Sequence, residues 1–430
     1  MYSKNIIVRR NVKYRTVRIM EQVGRFIDLL AEKRIGIIRK GAFTRKRKLS
    51  YQSVFLTILD VGRETLQMKL ARVLPKTGCE EECSQQAFSK ARSNMDHTAF
   101  RELFEFLVDK ANNTPDLCTH EEIPGYIVVA IDGTKVSLPN LPEFREKYFT
   151  TGAGAKSPTA LVSTVVSVTD GRIIDAVWSE KNDERKCAQH HMEVLKEYFG
   201  DGGTTVMLLM DRGYPSDDFL RDIAEKEFAF CLRCRNGMNK DIAALPEVYD
   251  GEYLFAGGAK VRCVRFALDS GETETLLTSD RKMSVEDLKR LYFRRWKAET
   301  EYLTIKKRLE LENFTGKTEN SVLQDFWALM CADQLLWMCE IEADPLIVED
   351  RKDKPNKYQY KMNRNMFIAT MKDKLVETIC CKYPKKRKIL FDKMMDDARK
   401  HVIPIKPDRT TPRPKNKRKT EYSFNNKHNC

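Results

Sequence analysis

Through the first hundred residues, apolar positions recur at helical spacing. "VRIMEQVGRFIDLLAEKR" and "YQSVFLTILDVGRETLQMKLARVL" each set apolar residues three and four apart, which predicts two long helices. "SQQAFSKARSNM" continues the pattern, and Asp96 is placed to cap a helix over "HTAFRELFEFLVDKA". Two such helices with a short connection also fit a helix-turn-helix, a pattern that plain bundles share.

Near residue 121 the period changes. "GYIVVAIDG" is apolar from Tyr126 to Ile131 and ends in Asp132-Gly133, and "TTVMLLMDRGY" is a second apolar run ending at Asp211. Unbroken apolar runs predict central strands buried on both faces. "TALVSTVVSVTDGRIIDAVW" reads as two strands joined at Asp170-Gly171, and "FAFCLRCR" as another. "DERKCAQHHMEVLKEYFG" reads as a helix closed by Gly200, and "SDDFLRDIAEKE" as a second. Strands alternating with helices predict an α/β fold built on a mixed sheet.

Residues 236–280 break that alternation and read as a β-rich insertion, with a hairpin turning at Asp269-Ser270-Gly271. Ser284 then caps one long helix, "VEDLKRLYFRRWKAETEYLTIKKRLELE", and "SVLQDFWALMCADQLLWMCEIEA" forms the next. The expected division is a helical domain over 1–120, an α/β domain over 121–345 and a basic region over 346–430. The Pro/Lys/Arg-rich end, "PIKPDRTTPRPKNKRKTEYSFNNKHNC", is expected to be disordered when free.

Charge adds a second layer. The 430 residues carry a net +14. Residues 1–72 carry +13 and residues 351–430 carry +16, against −15 over 73–350. Basic ends suit a polyanion such as nucleic acid, and an acidic middle suits carboxylates that hold a divalent cation. No apolar run reaches membrane-spanning length, and no secretory leader is recognisable, so an intracellular protein is expected. The twelve cysteines show no four-ligand zinc spacing and read as reduced thiols; Cys187 and His191 share a helix face, which admits a metal site but reads first as packing.

The candidate chemistry lies in three carboxylates. Asp132 and Asp211 end apolar strands, where α/β proteins build sites, although Asp-Gly and Asp-Arg-Gly also start turns. The third is in "YFRRWKAETEYLTIK". At ~100° per residue, Tyr292, Arg295, Glu299 and Lys306 fall on one helix face, and Glu301 falls about 200° away. An amphipathic helix with an Arg295–Glu299 pair would account for the pair but not for a charged row amid apolar neighbours. Three carboxylates make a hard oxygen site suited to Mg²⁺, with Mn²⁺ tolerated, and two such ions support in-line phosphoryl transfer.

Tyr292, Arg295, Glu299 and Lys306 reproduce the spacing Y-(2)-R-(3)-E-(6)-K. With "AIDGTKVSLP", "MDRGYPS" and "FSKARSNM", the chain resembles bacterial insertion-sequence DDE transposases over most of 80–320. The resemblance implies a ribonuclease-H-like catalytic domain with a β-rich insertion, and a metal-binding catalytic triad of Asp132, Asp211 and Glu299. It also implies that Tyr292, Arg295 and Lys306 contact DNA. The implied activity is cut-and-paste transposition: binding the element's terminal inverted repeats, cleavage at its ends, and joining of the 3′-hydroxyl to target DNA. The implied partners are double-stranded DNA and a second copy of the chain in a synaptic complex, in a bacterial cytoplasm at the nucleoid. The alternatives are a repressor or architectural protein that kept the fold, and a metal-dependent nuclease without strand transfer. "LLTSD" departs from the Thr-Asn pair of many members, and the insertion holds no tryptophan for base stacking, leaving Tyr253 and Phe255.

Overall fold

A computed structural model describes residues 14–406, apart from 46–47, 63, 116, 118–120, 124, 152–156, 201–202, 236–237, 239, 255–257, 259, 269–270 and 356. The tail expected to be disordered lies outside the described residues from 407 onward. The chain divides into two compact units. One combines the described parts of 1–62, 66–117 and 335–413; the other combines the described parts of 63–65 and 118–334. The N-terminal and C-terminal segments, separate regions in the sequence reading, thus cluster together.

In the first unit, α1 (Thr16–Glu32) buries Ile19, Met20, Val23, Ile27 and Leu30, the predicted stripe. The expected second helix is interrupted, giving α2 (Tyr51–Leu59) and α3 (Leu66–Val73). Asp60 causes the break. Its carboxylate accepts the Gly62 N–H at 2.9 Å and is held by Arg72 at 2.5 Å, so the backbone finds a side-chain partner in place of the next helical turn. α4 (Gln85–Arg92) starts at Ser84, whose hydroxyl accepts the Ala87 N–H at 3.2 Å. α5 (Thr98–Asn113) follows Asp96, whose carboxylate accepts the Thr98 N–H at 2.9 Å.

The second unit is built on a ten-stranded mixed sheet. β1 (Glu121–Ile123) pairs with β2 (Tyr126–Ser137); α6 (Pro142–Lys147) and β3 (Phe149–Thr151) lead into β4 (Ser157–Ser167) and β5 (Ile173–Ser179). α7 (Glu184–Phe199), β6 (Thr205–Met210), α8 (Asp217–Glu225) and β7 (Ala229–Cys234) complete the alternation. β5, β4 and β2 are antiparallel neighbours, and β2, β6 and β7 are parallel neighbours. This is the ribonuclease-H-like order. The fully apolar runs are the central strands, as predicted: Val129 to Ile131 and Met207 to Met210 are all 0% exposed.

The insertion contributes α9 (Lys240–Ala244), β8 (Tyr249–Leu254), β9 (Lys260–Ala267) and β10 (Thr273–Thr278). β9 and β10 form the predicted hairpin; Asp269 and Ser270 of its turn lie outside the described residues. β10 also pairs with β7, so the insertion extends the main sheet. The long helix expected over 285–312 is instead α10 (Val285–Phe293), a tight turn at Arg294 and Arg295, α11 (Trp296–Leu303) and a π-helical turn over Thr304–Arg308. The Arg294 and Arg295 N–H groups bond back three residues, to Leu291 and Tyr292, which tightens the chain between the two helices. α12 (Glu319–Glu349) runs from this unit into the helical one.

The helical unit is completed by β11 (Gln359–Met362), α13 (Arg364–Cys380), α14 (Pro384–Lys400) and β12 (Val402–Ile405). Arg387 on α14 pairs with Glu21 on α1 at 2.7 Å, and Tyr14 packs edge-on against Phe391 with ring centroids 5.3 Å apart. Among the described residues, no helix is long and apolar enough to cross a membrane.

Candidate active site

β2 pairs in parallel with β6 only as far as Ala130 opposite Leu209, whereas its antiparallel ladder with β4 continues to Ser137. Asp132 therefore stands where β2 parts from β6, and Asp211 directly follows β6. The register continued by two residues sets the aspartates side by side at the carboxyl edge of the parallel strands. Asp132 and Gly133 lie within a strand, so the turn their sequence allowed does not form. Gly133 is closely packed: a Cβ there would meet Glu184 Cγ and Leu161 Cδ1 at 3.1 Å, so one of those side chains would have to shift.

The tight turn between α10 and α11 brings Arg295 onto these carboxylates. Its Nη1 lies 3.4 Å from Asp132 Oδ2, and its Nη2 lies 2.8 Å from Glu299 Oε1. The Tyr292 hydroxyl donates to Asp211 Oδ1 at 3.3 Å. Tyr292 thus meets Asp211, and Arg295 links Glu299 to Asp132. Burial pushes the Asp132 carboxyl up to about 6; Arg295 and the Gly133 N–H pull it down, while the charges of Glu299 and Asp211 push it further up. Arg295 is 4% exposed, and its Nε has no partner among the described residues. That leaves one buried donor available to a ligand.

Residues 123–333 match the Transposase DDE domain family. The matched segment coincides closely with the sheet-bearing unit, and the family it matches is one of phosphoryl-transfer enzymes. The Sinorhizobium fredii protein y4zB, provisionally described as a transposase, is 39% identical over 66 residues, which cover 15% of this chain and 18% of that protein. A cryo-EM structure of a piggyBac transposase synaptic complex with hairpin DNA aligns at TM-score 0.48 and 11% identity, covering 90% of this chain and 86% of that one.

The carboxylates that converge at this sheet edge offer only oxygen donors, which fits a hard divalent cation. Asp132 and Glu299 already share one buried cation, the Arg295 guanidinium. Among the described residues, no three His, Cys, Asp or Glu side chains close into a common coordination sphere, and Arg295 stands between Asp132 and Glu299.

Lys306 stands apart from this cluster. It lies in the π-helical turn, donates to the Lys135 carbonyl and sits 3.9 Å from Glu312. Burial holds its pKa below the ordinary value, with Glu312 opposing. Glu301 is 4% exposed, so it faces protein and not solvent. Tyr253 packs against the hydrophobic core, and Phe255 lies outside the described residues. Ser279 accepts the Phe230 N–H at 3.0 Å.

Sequence reasoning missed two residues at this edge, Arg233 and Glu184, and placed Tyr302 beside the Glu299 face as a packing residue. Arg233 on β7 lies 4.0 Å from Asp211 Oδ1 and 3.0 Å from Glu274 Oε2; a charge inside the apolar run "FAFCLRC" was the available signal. Glu184, in the first turn of α7, sits against both Gly133 and Gly213, and burial raises its pKa. Tyr302 on α11 donates to the Asp132 carbonyl at 2.5 Å.

Proposed function

We propose that the chain is a cut-and-paste DNA transposase that cleaves at the ends of its element and joins the freed 3′-hydroxyl to target DNA. The observation that carries this reading is the Arg295 bridge between Asp132 and Glu299, with Tyr292 on Asp211, inside the segment that matches the DDE domain family. Asp132, Asp211 and Glu299 would hold Mg²⁺ or Mn²⁺. The bound metal would activate the attacking water or 3′-hydroxyl and stabilise the leaving oxygen. Arg295, with a spare buried N–H, is suited to take a phosphate oxygen, and Tyr292 orients Asp211. Lys306, standing off the cluster, is suited to backbone phosphate away from the scissile bond.

Both DNA ends must be engaged at once, which calls for two copies of the chain. The basic segments at the chain's two ends supply sequence-independent affinity, and the N-terminal helices are suited to repeat readout.

The test is an end-cleavage and joining assay on DNA carrying the element's inverted repeats. Mg²⁺ or Mn²⁺ should give nicked and then joined product, and Glu299→Gln should give neither while still shifting DNA in a gel. Nicking without joining would favour a nuclease, and binding without nicking in the wild type a repressor. Cleavage in EDTA would overturn the metal mechanism.

A further inference from the structure

Behind Asp132 runs a chain of buried polar groups. Asp175 on β5 lies 2.6 Å from Nδ1 of His191 on α7. The other ring nitrogen, Nε2, lies 2.9 Å from Ser163 Oγ on β4, and the Ser163 hydroxyl donates to the Asp132 carbonyl at 3.3 Å. Ser163 and His191 are both 0% exposed. A second chain reaches the same oxygen from α11. The Tyr302 hydroxyl donates to it at 2.5 Å and accepts from Thr164 Oγ1 at 3.0 Å.

The order Ser163, His191, Asp175 matches that of a nucleophilic triad, but burial denies it a substrate. Its hydroxyl proton is also engaged by the Asp132 carbonyl. Nδ1 of His191 donates to the Asp175 carboxylate, which can only accept, and Nε2 faces the Ser163 hydroxyl, so the ring is oriented from both ends. Burial alone would raise Asp175, yet its hydrogen bond and charge interaction with His191 hold its pKa below the ordinary value.

The register explains the convergence. Thr164 stands opposite Asp132 and Ser163 opposite Gly133, so β4 puts its two adjacent polar residues beside the site strand. Adjacent strand residues point to opposite faces. Ser163 meets His191 on one face, and Thr164 meets Tyr302 on the other. The Asp132 backbone is clamped from both sides of the sheet. Tyr302 is three residues from Glu299 on the same helix, so one of these bonds ties the Glu299 helix to the Asp132 strand.

We propose that His191 is a positioning residue. With Asp175 it fixes the Ser163 hydroxyl, and Ser163 and Tyr302 together hold Asp132 in register with Glu299. This rests on the reading that Asp132 and Glu299 act in cleavage. If the wild-type protein does not cleave, that reading fails; if it cleaves and the variants below match it, this proposal fails.

The measurements are single-turnover cleavage across a Mn²⁺ titration, Mn²⁺ binding by electron paramagnetic resonance in the DNA complex, gel shift and thermal midpoint. Ser163→Ala and Tyr302→Phe should each bind DNA as wild type does and melt within a few degrees of it. Each should cleave about tenfold slower or worse, since a small misplacement of a reacting group is costly. Each should also need several-fold more Mn²⁺ for half-saturation. The double variant should be no slower than the slower single, because both bonds serve one carbonyl. His191→Gln, which keeps a hydrogen-bonding partner for Ser163, should cleave faster than His191→Leu. Rates within twofold of wild type, unchanged Mn²⁺ affinity, multiplicative singles, or no advantage for Gln over Leu would each overturn the assignment.

Discussion

Asp132 pays for its position, and Asp132→Asn measures how much. Burial raises its carboxyl from the ordinary 3.8 to about 6, even with Arg295 beside it. A raised carboxyl means the folded state prefers the neutral form. The penalty is absent below about pH 4, where both states hold the proton; it grows between about pH 4 and pH 6 and is complete above that. About two units at ~1.4 kcal/mol each set an upper limit near 3 kcal/mol. Asn mimics the protonated carboxyl in shape and charge, so Asp132→Asn should stabilise the protein by ~1–3 kcal/mol at neutral pH. At roughly 2–4 °C per kcal/mol for a unit of this size, the thermal midpoint should rise by ~2–12 °C. The assay is thermal melting of both proteins in EDTA, near pH 7.5, pH 5.5 and pH 4. The gain should shrink as pH falls and vanish at the lowest value, while cleavage is lost throughout. An equal or lower midpoint for Asp132→Asn at neutral pH, or a gain independent of pH, would refute the argument that desolvation dominates at this carboxylate.

Two further outcomes follow from the site and the charge pattern. Glu301→Gln should cleave within a few-fold of wild type per folded molecule, its cost appearing in the thermal midpoint because Glu301 is buried; a dead Glu301→Gln beside an active Glu299→Gln would reverse the assignment of the two glutamates. Log DNA affinity should fall steeply with log salt, and removing residues 405–430 should flatten that slope by counterion release, so an unchanged slope would show that the tail makes no DNA contact.

The strands were legible because burial on both faces leaves unbroken apolar runs. The β4–β5 connection was legible because Gly171 takes φ of +82°, a conformation that favours glycine. The helix bearing Glu299 was less so. Periodicity predicts one cylinder, but the tight turn at Arg294 and Arg295 and the π-helical turn after Leu303 divide it. The first break leaves Tyr292, Arg295 and Glu299 with the aspartates, and Lys306, in the π-helical turn, is paired elsewhere. The break between α2 and α3 was hidden for a similar reason: Asp60 reads as one polar position in a stripe until its carboxylate is seen to hold Gly62 and Arg72.

Local sequence determined which segments are strands, which residues cap helices, and which carboxylates sit next to apolar runs, because each depends on a residue and its near neighbours. The tertiary structure decided what meets across the chain. Pairing of β2 with β6 ends two residues before Asp132 and so exposes the edge where Asp211 joins it. A β4 register that sets Ser163 and Thr164 beside Gly133 and Asp132 turns two unremarkable polar residues into contacts of the site strand. Arg387 and Glu21, 366 positions apart, pair only because the N- and C-terminal helices pack into one unit. Such contacts depend on register and packing between distant segments, which no periodicity within a single segment records.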